Sequence, residues 1–304
     1  MGGRPAGRGA GGRREFCAGC GAAAAAAAGA AAAWPASAAP GPAPGARAAG
    51  AWSDRQFAAV MECGMADYER VIAPVKRDLF ADLGGTDVVE VGMGAGPSLP
   101  LFREAGVRSV LGIEPNVDMH PLAQARAEGC GLHRLALSTG VAEQLPLEDN
   151  SCDVLVATML MCSVASQREA LKEFARVLRP GGRYIFVEHV AAPPGSTLRG
   201  LQRGLNVPQQ LMCHGCHLTR SSVAEMEAEP SFRGRVHARR FTLGAPAGSA
   251  DAWGWEPVRD LASLQTVGGV QVSGVSQGWK PADGLPPPHF LLSPHEAGVA
   301  FAAK

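Results

Sequence analysis

The sequence predicts an α/β domain built on a parallel sheet with helices on both faces. Three observations carry that prediction. Short β-branched segments alternate with helical ones between residues 87 and 190. A loop with glycine at every second position (Gly92, Gly94, Gly96) directly follows the first of those strands, "DVVEV". An acid, Glu114, closes the next strand, "SVLGIE". Strands alternating with helices join as βαβ crossovers, and such crossovers make parallel sheets.

Order is expected to begin near Trp52. In "FAAVMECGMADYERVIAPVKRDLFADL" apolar residues recur at helical spacing: Phe57, Val60, Met61, Met65, Tyr68, Val71 and Ile72. Pro74 should break or kink that helix, and a second short helix should run to Leu83 before Gly84-Gly85. "VVEV" reads as a strand and "PSLPLFREAG" as a helix stopped by Gly106. "SVLGIE", "LHRLALS" and "SCDVLVATM" read as further strands, with "MHPLAQARAEG" as a helix between the first two. "QREALKEFARVL" is amphipathic, with Ala170, Leu171, Phe174, Ala175, Val177 and Leu178 on one face, and "RPGG" should end it. "RYIFVEHV" is the next strand. After Pro193-Pro194, "LRGLQRGLNVPQQLM" reads as a lid helix and "SSVAEMEAE" as a helix with Ser222 and Glu225 forming a capping box. "RVHARRFTL" and the terminal "PHEAGVAFAAK" complete the strands. No internal repeat is visible.

Composition narrows the function classes. A chain of 304 residues holds one large α/β domain plus tails, or two small domains. A formal net charge of zero supplies no basic field that argues for nucleic acid. Eight cysteines without a secretory signal argue for a reducing interior rather than a disulfide framework. No window of about 18 strongly apolar residues is present, so no transmembrane segment is expected, and only peripheral membrane contact stays open. Residues 1–50 are Ala, Gly and Pro almost throughout, with arginines, one glutamate and one serine. Such a segment cannot bury enough side-chain area to offset ordering. It reads as a disordered leader, of the Arg-rich, acid-poor kind that targets a plastid (chloroplast) or another organelle; without targeting the protein would be cytoplasmic. Residues 51–304 are then the functional domain, with a stretch at 244–283 that shows no period.

The loop E-x-G-x-G-x-G lacks Cβ atoms where a ligand could lie against the backbone. The dinucleotide fingerprint is G-x-G-x-x-G, and here the third glycine comes one residue early and is followed by Pro97. That suits a nucleoside ligand without a pyrophosphate. Glu114, about twenty residues on, stands where an acid accepts both ribose hydroxyls. The third piece is "STGVAEQLPLEDNSCDVLVAT", which resembles the G-x-A-E-x-L-P loop of S-adenosylmethionine-dependent methyltransferases. "LRPGG", Leu178 to Gly182, resembles another hallmark of that family.

The resemblance can be narrowed. "ADYERVIAPVKRDLF", "VEVGMGAG", "EPN", "ATMLMCSV", "RVLRPGGRYIFVEHVA", "GCHLTR" and "PHEAGVAFA" are similar to the methyltransferase-like-seven group, above all its plant and algal relatives, often labelled ubiquinone/menaquinone-type methyltransferases. The likeness covers roughly residues 57–243 and the last twenty or so, and 244–283 then looks like an insertion between the last two strands. Animal members resemble alkyl-thiol methyltransferases with an apolar N-terminal anchor. This chain shows an Ala/Arg leader there, so the anchor does not carry over. The resemblance implies a Rossmann-like, doubly wound, seven-stranded class I methyltransferase fold with the last strand antiparallel. It implies S-adenosyl-L-methionine as cofactor, lying across the carboxyl ends of the strands. Glu90, Gly92, Gly94, Gly96, Glu114, Pro115, Asn116, Ala142, Glu143 and Thr158 are then the cofactor-binding residues, with Glu90 attracting the ammonium and Ala142-Glu143 meeting the adenine. His189 is the base candidate, and it and Cys162 should face the pocket mouth.

The expected reaction is in-line methyl transfer to a small-molecule nucleophile, a thiol or a phenolic quinol. A catalytically silent S-adenosylmethionine-binding protein is the alternative. An NAD-dependent oxidoreductase is opposed by the early third glycine and the adenine loop. Cys213 and Cys216 form a C-x-x-C with His214 and His217 interleaved, but adjacent ligand pairs can hardly converge on one tetrahedral ion. No metal is assigned, and the segment reads as structure or substrate lid. Cys17 and Cys20 fall in the leader.

Overall fold

The computed structural model describes residues 52–242 and 294–303. The leader (1–50) and the insertion (244–283) read from the sequence lie outside the described residues. Two helices, α1 (Asp54–Gly64) and α2 (Ala66–Phe80), precede β1 (Asp87–Val91). Then follow α3 (Leu99–Glu104), β2 (Ser109–Ile113), α4 (His120–Cys130), β3 (Leu135–Ser138), β4 (Cys152–Thr158), α5 (Gln167–Val177) and β5 (Leu178–His189). A 16-residue helix, α6 (Thr197–Met212), and a short one, α7 (Ser222–Ala228), lead to β6 (Val236–Thr242) and β7 (Pro294–Phe301). No helix among the described residues is long and apolar enough to cross a membrane.

The strands form one sheet in the order β3-β2-β1-β4-β5-β7-β6. β1 pairs in parallel with β2 and β4, and β7 pairs antiparallel with both β5 and β6. The strand order reverses between β1 and β4, and the carboxyl ends that flank this point carry the site. Both faces of the sheet are covered. Successive side chains of β1 enter opposite layers: Val88 packs with Tyr68, Phe80 and Phe102 beneath α2 to α4, whereas Val89 packs with Phe174, Tyr184 and Phe232 beneath α5 and α7. Strands buried on both faces explain the near-continuous Val/Ile/Leu runs.

Four local expectations change. The first helix breaks at Met65 rather than at Pro74, because Gly64 is the weakest helix former of the run. Pro74 is accommodated inside α2. β5 starts eleven residues ahead of its end, at Leu178, so "RPGG" belongs to the strand and not to a turn before it. β3 is shorter than "LHRLALS", beginning at Leu135. The capping box at Ser222 and Glu225 does not form: Ser222 is already the first helical residue, and its buried hydroxyl accepts a bond from Gln167 Nε2 at 3.3 Å.

Backbone packs against backbone where β6 and β7 meet. A Cβ at Gly298 would lie 2.7 Å from Ala238 Cα, and closer still to the His237 carbonyl oxygen. Backbone cannot rotate away as a side chain can. Gly298→Ala is therefore expected to destabilise the fold by about 1–3 kcal/mol, the usual cost of overpacking. Gly204→Ala, in α6 with nothing within 4 Å of the new methyl, should instead stabilise by ~0.4–1 kcal/mol. Urea midpoints of the two variants check both signs, and a Gly298→Ala midpoint at or above the parent's would contradict this packing.

Candidate active site

The turn after β1 is left-handed at each glycine, with φ of 69°, 56° and 74° at Gly92, Gly94 and Gly96. Gly92 and Gly96 also have no room for a side chain. A Cβ at Gly92 would sit 2.6 Å from Leu160 Cδ1, and one at Gly96 would collide with Leu99. The turn is closed by Gly96 N donating to Met93 O at 2.9 Å and held to β2 by Gly92 N donating to Ile113 O at 2.8 Å.

Glu90 lies in β1 just before this turn, on the face covered by α2, and is 1% exposed. Burial pushes its carboxyl up to about 7, against the pull of the nearby Lys76 charge and a hydrogen bond with Ser98. Its Oε2 has no hydrogen-bond partner. Lys76 is itself fully buried; its Nζ donates to Glu69 Oε2 at 2.7 Å and to Ser98 Oγ at 3.4 Å. An orphaned buried carboxylate oxygen costs free energy that a cationic donor would recover. The bare turn and the orphaned oxygen together fit the aminocarboxypropyl arm of the cofactor that the sequence implies.

Glu114 ties the turn to the end of β2. Its Oε2 accepts the Gly94 N–H at 3.0 Å and its Oε1 the Asn116 N–H at 2.9 Å. Half-buried Pro115 follows. Asn116 is 1% exposed: its Oδ1 accepts from Asp118 N at 3.0 Å and its Nδ2 donates to Asp54 O at 2.9 Å. Its side chain thus shapes the turn and anchors α1. Ala142 is buried. Glu143 is half-buried, and its Oε1 accepts the Ser166 N–H at 3.1 Å, which ties the loop after β3 to the start of α5. Thr158 ends β4, half-buried.

His189 and Cys162 are placed differently from the expectation that they line an open mouth. Both are enclosed, His189 completely, because the loop after α6 folds over them. His189 Nε2 lies 3.1 Å from Cys216 Sγ, and its Nδ1 has no hydrogen-bond partner. Cys216 meets Cys162 and His189, whereas His214, between the two cysteines of the C-x-x-C, stacks on Phe57 with ring centroids 3.8 Å apart. Glu188, before His189, is fully buried; its Oε1 accepts Leu160 N and Met161 N, both at 3.0 Å. Burial, then the Cys162 charge, pushes its carboxyl up to about 8.

Sequence reading missed three site groups: Lys76, Glu188 and Tyr68, whose hydroxyl lies 3.0 Å from His295 Nε2. Lys76 had a visible signal. Tyr68, Ile72, Lys76 and Phe80 fall four apart on the buried stripe of α2, and a lysine on such a stripe is an anomaly. Glu188 showed no comparable signal, since burial at a strand end follows from distant loops.

Glu90 makes a testable contribution to stability. Its folded pKa of about 7 lies above the unfolded value of 4.5, so the folded state keeps a proton that the unfolded state has lost. Its contribution is therefore complete below pH 4.5 and is lost as pH rises towards 7. Relative to Glu90→Gln, the parent should lose on the order of 3 kcal/mol across that window, read from urea unfolding at a series of pH values. A stability difference that is flat with pH would contradict the burial assigned to Glu90.

The family described as "Methyltransferase domain" matches residues 89–186. Over 169 residues the chain is 36% identical to "Thiol S-methyltransferase TMT1A" of Homo sapiens, covering 53% of this chain and 68% of that protein. Over 160 residues it is 35% identical to "Thiol S-methyltransferase TMT1B" of Rattus norvegicus, covering 50% and 65%. The crystal structure of the YcgJ protein from Bacillus subtilis superposes with a TM-score of 0.50 at 17% identity, over 76% of this chain and 98% of that one, a likeness of fold. Matched over about two thirds of these relatives and carrying the strand order and glycine turn described above, the chain belongs to the class I S-adenosylmethionine-dependent methyltransferases, in the methyltransferase-like group of its thiol S-methyltransferase relatives.

Proposed function

We propose that this enzyme methylates the thiol of a small apolar molecule, with S-adenosyl-L-methionine as donor. The observation that carries the donor site is Glu90: a fully enclosed carboxylate oxygen without a donor, beside a left-handed turn with glycine at every second position. Family membership implies the same cofactor. S-adenosylmethionine, when bound, supplies an electrophilic methyl on a sulfonium sulfur.

The chain's own part is placement. Glu90 would hold the ammonium of the cofactor's amino-acid arm, and Gly92, Gly94 and Gly96 would let that arm lie on the backbone. Glu114 would accept the ribose hydroxyls, with Pro115 and Asn116 fixing the turn beside it. Ala142 and Glu143 would border the adenine, and Thr158 the reacting end. Fixing donor and acceptor in a near-attack arrangement supplies roughly 7–11 kcal/mol of a displacement barrier. A buried pocket also suits an anionic thiolate meeting a cationic methyl donor, because charge is neutralised as the bond forms.

The thiol class is supported by the activity for which the two relatives are named, thiol S-methylation. A free thiol has a pKa near 8.5, so only a few per cent is thiolate at neutral pH, and a pocket that favours the thiolate raises the rate. We further propose that residues 1–50 direct the protein to a plastid or another organelle; a fusion of that segment to a fluorescent protein that stays diffuse in the cytoplasm would overturn this.

Two measurements test the main proposal. Glu114→Ala should weaken S-adenosylmethionine binding by about 10–100-fold in calorimetry, the range expected for hydrogen bonds to a charged group. Unchanged affinity would remove Glu114 from the site. Purified protein incubated with panels of apolar thiols and quinols should add one methyl to thiols, read by mass spectrometry. Transfer to quinols alone would replace the acceptor, and tight cofactor binding without transfer to any acceptor would favour the silent binding protein.

A further inference from the structure

Three chain segments far apart in sequence bring Cys162, His189 and Cys216 to one buried point. Each offers one ligand atom, and the three atoms lie within 4.8 Å of one another. Cys162 arrives on the turn after β4. That turn is pinned by Arg220, whose guanidinium donates to Met161 O at 2.8 Å and Val164 O at 2.7 Å. His189 is the last residue of β5 and pairs in register with His295 of β7. Cys216 arrives on the loop after α6, where His217 N donates to Cys162 O at 2.8 Å and so locks this loop onto the β4 turn. Backbone thus holds the three side chains together whether or not they are bonded to anything.

We infer that these three residues bind a soft divalent metal ion of the zinc class. Two sulfurs and an imidazole form a donor set that selects zinc-like ions over magnesium or calcium. With metal–sulfur bonds of about 2.3 Å and metal–nitrogen bonds of about 2.0 Å, ligand atoms of a tetrahedron lie roughly 3.3–3.8 Å apart. The 3.1 Å between His189 Nε2 and Cys216 Sγ is already close to that range, and sub-ångström side-chain shifts would bring in the third atom. The charge also balances. Two thiols release two protons on binding M²⁺, giving a neutral bis-thiolate core suited to a buried site.

This reading differs from the sequence expectation of no metal. The spacing of Cys213 and Cys216 draws the eye to a pair, but the partners of Cys216 come from the ends of β4 and β5. Three protein ligands leave one tetrahedral position open, the composition of a catalytic rather than a closed structural site. On the thiol reading of the preceding subsection, that position would take the acceptor as its thiolate. The metal assay stands or falls without that step.

The full chain, produced with zinc supplementation and dialysed against metal-free buffer, is expected to retain about one zinc per chain by elemental mass spectrometry. The zinc content should drop at least tenfold in Cys162→Ser and Cys216→Ser. If those variants do not fold, the parent decides: stripped with a chelator and titrated with cobalt(II), it should take up one equivalent, show thiolate-to-cobalt charge-transfer absorption and release two protons. A parent that binds neither zinc nor cobalt overturns the inference. So does a disulfide between Cys162 and Cys216 themselves, located by peptide mapping of the unreduced protein and lost on reduction. Full zinc retention by a folded Cys162→Ser/Cys216→Ser double variant also overturns it.

Discussion

A carboxylate buried beneath a backbone turn organises this molecule. Glu90 sits in an interior strand of a sheet covered on both faces, where an ionised acid is costly and its Oε2 finds no donor. The surrounding structure supplies partial compensation from Lys76 and Ser98, and the carboxyl remains near the midpoint of its titration at neutral pH. A cationic ligand arriving over the glycine turn would complete the missing interaction. The fold's free-energy cost at Glu90 and the enzyme's affinity for an ammonium-bearing donor are then two readings of one electrostatic balance.

The rest of the site is arranged around that point by backbone ties. Glu114 joins the glycine turn to the end of β2, Glu143 joins the loop after β3 to α5, and Glu188 joins the end of β5 to the turn after β4. Each acid accepts backbone N–H groups that would otherwise be unpaired at a strand's end. Acids that read as ligand contacts in the sequence thus also fix the loops they belong to. Substitution of any of them is expected to act on both the pocket's shape and its chemistry.

Much of this was legible in the sequence, for identifiable reasons. The glycine turn, Glu114 and the Ala142-Glu143 loop lie in local motifs whose spacing is set by strand and turn geometry. The alternation of strands and helices follows from hydrophobic period. What escaped depends on contacts between distant segments. Lys76 reaches Glu90 only because α2 packs on β1. Cys216 meets Cys162 and His189 only after the chain has crossed the sheet and returned through α6. The nearer C-x-x-C pair suggested a different grouping, and Pro74 suggested a helix break that Gly64 and Met65 supply instead.

The measurement that bears most directly on the account is the proton balance of donor binding. Calorimetric titration of S-adenosylmethionine at about pH 6, in buffers of different ionisation enthalpy, counts protons released per ligand bound. If the ammonium is held by ionised Glu90, whose carboxyl is pushed up to about 7 in the free enzyme, binding should expel close to one proton there, and Glu90→Gln should expel none. Equal proton release by the parent and the variant would contradict the claim that this buried acid grips the donor.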